Sequence, residues 1–301
     1  DFMTETPPLS RSMSRRRFLK GFGAGIFVTS LQSMLPLPAW ALASPRNLHE
    51  GLAGYTPQNQ FDLAFRYAAL TIDGKQGRAT ALNGTVPAPL LRWREGSEVT
   101  LDVRNHLEDT QHASLHWHGV LVPPRMDGVP GLSFKGIPPG ESYRYRFAVK
   151  QAGTYWYHSH SRFQEQSGAY GPIIIDPKHP EPFHYDREHI VLLSDWTFED
   201  PETIYRNINL DPEYYVYYQR TLRDYFRDVR DMGFGEANAE LLPFRKMNMS
   251  PRDLSSVTGS IYTYLVNGHS PDMNWTGLFE PGETVRLRFI NASAMTNFDV
   301  R

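Results

Sequence analysis

Leu82-Asn83-Gly84-Thr85-Val86-Pro87, followed by Gly96-Ser97-Glu98-Val99-Thr100-Leu101-Asp102-Val103-Arg104-Asn105, decides the fold, because the same order returns later in the chain. Val266-Asn267-Gly268-His269-Ser270-Pro271 precedes Gly282-Glu283-Thr284-Val285-Arg286-Leu287-Arg288-Phe289-Ile290-Asn291. Each copy reads as an Asn-Gly turn, an alternating strand and a polar stop. Two amphipathic strands can look alike by chance; the shared order of turn and strand favours an internal duplication instead. The chain is therefore read as all-β, with two tandem sandwich domains. In the first, 55–180, strands are expected at Phe61–Ile72, Glu98–Asn105, Ala113–Leu121, Tyr143–Val149, Thr154–His158 and Tyr170–Ile175. Turns at Pro138-Pro139-Gly140 and Gln151-Ala152-Gly153 separate them. Short strands between such turns make a Greek-key sandwich or barrel.

The second copy, 181–301, departs from this rhythm. Thr221 to Met232 carries Leu222, Tyr225, Phe226 and Val229 at helical spacing, so a partly helical insertion is expected over about 197–250. Asp299-Val300-Arg301 aligns with Ala113-Ser114-Leu115, one residue short of the counterpart of His116. A strand cut there leaves unpaired backbone, which natural C-termini avoid, so the second domain is expected to be truncated and the chain to be an N-terminal fragment.

The 301 residues include 23 prolines and 23 glycines, are 40% apolar, and carry a net charge of −2. That charge gives no electrostatic reason to expect nucleic acid. Cysteine is absent, which excludes disulfides, thiolate zinc sites, thiol nucleophiles and a blue-copper centre in this chain. Ser14-Arg15-Arg16-Arg17-Phe18-Leu19-Lys20, the weakly apolar Gly21 to Leu37 and Ala41-Leu42-Ala43 have the order of a signal peptide. The paired arginines point to the twin-arginine type and its export machinery, with cleavage after Ala43 and a linker over 44–54. Pro36 and Pro38 interrupt the apolar stretch, so no permanent membrane span is expected.

Two histidine pairs carry the chemistry: His116-Trp117-His118-Gly119, and His158-Ser159-His160 at the end of Gly153-Thr154-Tyr155-Trp156-Tyr157. The i, i+2 spacing puts both imidazoles of a pair on one face of a strand. A single His-x-His in a β-protein is more often a rim feature than a site, but two such pairs among aromatics and turn glycines point to metal. If the strands adjoin, four neutral imidazoles converge while Trp117 packs inward. Imidazoles without thiolate or carboxylate suit copper better than iron, calcium or magnesium, and leave zinc open.

Gly84-Thr85-Val86-Pro87-Ala88-Pro89, His116-Trp117-His118-Gly119, Met126-Asp127-Gly128-Val129-Pro130 and Gly153 to His160 together resemble the first cupredoxin domain of the multicopper oxidases. Phe163-Gln164-Glu165-Gln166-Ser167-Gly168, Met247-Asn248-Met249-Ser250-Pro251-Arg252-Asp253 and Tyr262 to Gly268 are similar to its bacterial copper-resistance branch. The resemblance implies tandem cupredoxin-like domains and a periplasmic, twin-arginine-exported oxidase. It also implies His116 as a type 2 copper ligand and His118, His158 and His160 as type 3 ligands, completing half of a trinuclear cluster. The remaining ligands and the type 1 copper site are expected in a later domain, within a His-x-x-His-x-His and a His-Cys-His beyond Arg301.

Asp127 matches a family acid near the cluster that helps deliver protons to dioxygen. Asp-Gly is equally a turn signal in its own right, and both readings can hold together. Met247 and Met249 offer soft sulfur for Cu(I), against the commoner reading of methionine as core filler. The expected activity of the intact protein is oxidation of Cu(I) or small phenolic donors with reduction of dioxygen to water; this chain alone is expected to be inactive. The competing readings are a periplasmic copper-sequestering protein without oxidase activity, and an exported interaction protein with vestigial histidines.

Overall fold

The computed structural model describes residues 57–301 apart from 109, 133, 216, 218–220, 248–258 and 295. The expected signal peptide over 1–43, the expected linker over 44–54, Met249 and the side chain of Met247 lie outside the described residues. Among the described residues eleven strands run in chain order: β1 Gln60–Ile72, β2 Lys75–Leu82, β3 Leu91–Arg94, β4 Glu98–Asn105, β5 His116–His118, β6 Ser142–Ala148, β7 Gly153–His158, β8 Tyr170–Asp176, β9 Arg187–Trp196, β10 Thr263–Val266 and β11 Val285–Asn291. They form three sheets, ordered β2-β1-β4-β6, β3-β8-β7-β5 and β10-β9-β11.

Alternation along β4 explains the first layer contact. Val99, Leu101 and Val103 are buried, whereas Glu98 and Arg104 face water. With Phe65, Tyr145 and Phe147 they pack against Trp93, Trp117, Tyr157, Ile173 and Ile175 of the second sheet. Trp117 is the hub, meeting Tyr145 edge-on at 5.2 Å and Trp93 at 5.8 Å. Such aromatic contacts add to the gain from burial alone. β8 reads Tyr-Gly-Pro-Ile-Ile-Ile because water reaches neither of its faces. Ile173 and Ile175 serve the first core, while Tyr170 and Ile174 meet Ile190, Leu192 and Ile290 from the third sheet.

The duplication is visible in hydrogen bonds. Asn83 and Asn267 both take left-handed φ values, 52° and 50°, and each is followed by a glycine at positive φ. Asn83 Oδ1 accepts from Ala64 N at 2.8 Å and its Nδ2 donates to Asp62 O at 3.0 Å. Asn267 clamps Leu192 N and Ile190 O in the same way, both at 2.8 Å. The parallel pairings agree independently: Ala64 lies beside Arg104, and Leu192 beside Ile290, which are equivalent positions of the two repeated strands. Thus β10-β9-β11 repeats β2-β1-β4. Asn267→Ala would strand a buried N–H and a buried C=O, and should lower unfolding free energy by about 1–3 kcal/mol in urea titrations. A shift below about 0.5 kcal/mol would refute the clamp.

The repeat also locates the insertion. In the first copy β1 turns into β2 through Asp73-Gly74, both at positive φ. In the second, the matching connection carries α1 Pro201–Leu210, α2 Leu222–Met232 and α3 Phe234–Met247. Asp200 caps α1 by accepting from Glu202 N, and Thr221 with Asp224 forms a capping box on α2. The expected helix is present, but its apolar residues are not core: Leu222 and Phe226 are exposed. Tyr225 and Val229 are only half-buried, and Tyr225 Oη accepts from Asn238 Nδ2 of α3 at 3.0 Å. Met247 closes α3.

A buried ion network joins the sheets. Arg92 forks onto Asp176 and reaches Glu188 at 3.0 Å; Glu188 also takes Arg288 at 2.5 Å. Arg288 donates to Thr154 Oγ1 at 2.7 Å, and Arg286 pairs with Glu181.

Candidate metal centre

Strand pairing creates the site. β5 and β7 run antiparallel with His116 directly opposite His158 and His118 opposite Trp156. Such cross-strand neighbours place their side chains in contact on one face. Ring centroids lie 5.5 Å apart for His116 and His158, 5.8 Å for His116 and His118, and 5.4 Å for His118 and His158. One nitrogen from each of these three falls within 4.8 Å of the others. Trp117, between its two histidines, points the other way into the core, as alternation requires.

His160 arrives by a different route from the strand geometry expected of it. β7 ends at His158, and the expected strand at Ala113–Leu121 shortens to His116–His118. A buried polar network replaces the ladder at Ser114 and Ser159, and at the other end of β5 Gly119, at φ +79°, turns the chain so that Val120 N donates to Trp117 O. Ser159 Oγ donates to Gln164 Oε1 at 2.7 Å, Ser161 Oγ bonds Ser114 Oγ at 2.9 Å, and His160 N donates to Ser114 Oγ at 3.0 Å. The His160 ring then sits 4.9 Å from His116 and 5.0 Å from His158. It adjoins the cluster but is not in the group of three converging donors.

Outer contacts fix the tautomers. A carbonyl oxygen can only accept, so His116 Nδ1–H donates to Asp127 O at 2.8 Å, leaving Nε2 free. The Asp127 carboxylate is 3.4 Å from the same nitrogen. Asp127 is thus both a turn residue, following the single turn at Pro124–Met126, and a neighbour of the cluster. Trp117 Nε1–H holds that turn through Met126 O at 2.9 Å. Gly128, at φ +77°, has no room for a side chain: a Cβ there would lie 1.8 Å from Leu115 O. This close approach brings Asp127 to His116.

His158 Nδ1 meets Glu165 Oε2 at 2.6 Å, and its Nε2 lies 3.3 Å from His118 Nδ1. Trp156 stacks on His158 at 4.1 Å and on His118 at 4.9 Å. Glu165 falls within the family-like stretch Phe163 to Gly168 but receives no role from it, because nothing periodic links it to His158. Histidines His112, His189 and His269 make backbone hydrogen bonds of their own, as isolated histidines should.

Neutral imidazoles presenting free nitrogens, without thiolate or carboxylate among the converging donors, fit a copper ion and would also accept zinc. Residues 64–180 match the family profile described as multicopper oxidase. A copper resistance protein A homolog of Pseudomonas syringae pv. tomato is 51% identical over 96% of this chain and 48% of its own length. The copper resistance protein A of Escherichia coli is 48% identical over 96% of this chain and 46% of its own. The chain belongs to the multicopper oxidase family. A blue copper oxidase from Nitrosomonas europaea superposes with a TM-score of 0.55 at 28% identity, covering 78% of this chain and 61% of that one. The mostly β, cupredoxin-like fold of this multicopper oxidase chain is the one its structural neighbours share. Copper is the family's metal, and the chain spans about half the length of the curated relatives it matches.

Burial, reinforced by the neighbouring His158 and His116, pushes the imidazoles of His118 and His160 below their usual range. In the metal-free multicopper oxidase chain, the unfolded state therefore takes up protons first as pH falls. Stability from these two groups is full above about pH 6.5, the ordinary imidazole value, and declines below it until the depressed folded value is passed. The urea midpoint should drop between pH 7.5 and pH 5.5, and His118→Gln with His160→Gln should flatten that slope. A midpoint that rises on acidification contradicts this account.

Proposed function

We propose that the protein to which this chain belongs is a periplasmic multicopper oxidase of copper resistance, taking electrons from Cu(I) or small phenolic donors and reducing dioxygen to water. The convergence of imidazoles from β5 and β7 is the observation that carries the reading. His116 would serve a type 2 copper, and His118, His158 and His160 a type 3 pair; the copper supplies the one-electron chemistry and the surface on which dioxygen is reduced.

The chain's own residues do the positioning. His116 and His158 are each held through Nδ1, so that Nε2 is offered to metal. Ser114, Ser159, Ser161 and Gln164 keep the second pair rigid, and Trp156 shields one side. Asp127 stands close enough to His116 to pass protons into the site through water. The remaining ligands and a type 1 copper would come from sequence outside this chain.

Export through the twin-arginine route, with residues 1–43 as the signal and domains over 55–180 and 181–301, belongs to the same proposal. Among the described residues, no helix is long and apolar enough to cross a membrane.

The test is oxygen uptake by the protein at the full length of its relatives. Copper-loaded enzyme given Cu(I) should consume oxygen well above its metal-free control, and Asp127→Asn should slow turnover while leaving copper content intact. Four bound coppers without oxygen uptake would replace the oxidase reading by sequestration. A chain that binds no copper at all would leave an interaction protein.

A further inference from the structure

Glu165 lies outside both histidine pairs, yet it makes the shortest polar contact described at the cluster, 2.6 Å from its carboxylate to His158 Nδ1. His158 is buried, its ring only 6% exposed, and Ser159 O is a weaker alternative partner at 3.3 Å. An ionised carboxylate can only accept a hydrogen bond, so a neutral imidazole facing it keeps its hydrogen on Nδ1 and its lone pair on Nε2. That nitrogen faces His118 Nδ1.

The acid is also rigidly presented. The turn from Ser161 to Gly168 is closed by Ser167 N to Phe163 O at 3.0 Å and Gly168 N to Glu165 O at 3.0 Å. It is anchored by Ser161 N to Ser159 Oγ at 3.0 Å and by Gln164 Nε2 to His112 O at 2.9 Å. Ser114, Ser159, Ser161 and Gln164 are all buried. A side chain on such a platform holds its direction without help from solvent.

We propose that Glu165 is a positioning residue for copper: it locks His158 in the Nδ1–H tautomer, aims Nε2 at the cluster, and strengthens that nitrogen as a donor through its negative charge. This rests on the reading of the histidines as copper ligands, and the experiment separates the two. Long-range proton–nitrogen correlation spectra of the metal-free chain report which ring nitrogen is protonated. The wild type should show His158 as Nδ1–H, Glu165→Ala a mixture containing Nε2–H, and Glu165→Gln a restored Nδ1–H through its amide oxygen. Competition with a chromophoric chelator should show copper affinity reduced about 10–100-fold in Glu165→Ala, with Glu165→Gln between that variant and wild type.

Glu165→Ala that keeps a pure Nδ1–H tautomer and binds copper within twofold of wild type overturns the proposal. If Glu165→Ala does not fold, Glu165→Gln decides by affinity alone: a severalfold loss supports the role, and unchanged binding ends it. Should the wild type bind no copper, the copper reading fails while the tautomer spectra still decide whether Glu165 orients His158.

Discussion

Replacing His158 by alanine is expected to empty the cluster of copper. Its ring stands within 5.5 Å of each of the other three, His116, His118 and His160, and it supplies one of the three converging donor nitrogens. Removing a ligand costs more than the roughly 10–100-fold in affinity that follows from removing a ligand's partner. After loading and dialysis, elemental analysis should find copper in the wild type and almost none in His158→Ala. The exposed His184, paired with Asp186 away from the cluster, provides the control, and His184→Ala should retain wild-type copper. Equal copper in all three proteins would dismiss the site.

The second large effect is on stability. Glu188, 4% exposed, compensates Arg92 at 3.0 Å and Arg288 at 2.5 Å, with Arg286 at 3.7 Å. In Glu188→Ala, Arg288 retains the Thr154 hydroxyl and no carboxylate among its described contacts, while the guanidinium stays buried. Breaking such a pair from one side costs about 3–5 kcal/mol, because an uncompensated charge is left in a poor solvent. Chemical denaturation should show that loss, and it should shrink when Arg288 is replaced by leucine in the same chain. A loss below about 1 kcal/mol would show that water reaches the network.

Legibility in the sequence followed physical cause. β4, β6, β7 and β8 lie within a residue or two of their expected positions, because apolar periodicity and proline or glycine stops are local signals. β2 was missed: Lys75-Gln76-Gly77-Arg78-Ala79-Thr80-Ala81-Leu82 has little branched or aromatic content and owes its strand state to pairing with β1. β3 has four residues and exists through its parallel partner β8. Of the insertion's helices, α2 is legible from its apolar residues at helical spacing; the signal for α1 is the helix start at Asp200-Pro201. The histidine pairs stood out because spacing encodes them. Glu165 did not, since its contact with His158 depends on a turn folded by serines and a glutamine whose partners are distant in sequence.

The asparagine clamps bear on how such chains change. One copy joins its strands through Asp73-Gly74, the other through a long helical excursion, yet Asn83 and Asn267 grip the same backbone positions in each. Alignment of the ribbons is thus set downstream of the connection, so β9 and β10 keep their register whatever the length of chain between them. The excursion has found work of its own: Glu202 of α1 pairs with Arg162 at 2.6 Å and Tyr205 packs on Phe163, so what is inserted there buttresses the turn that carries Glu165.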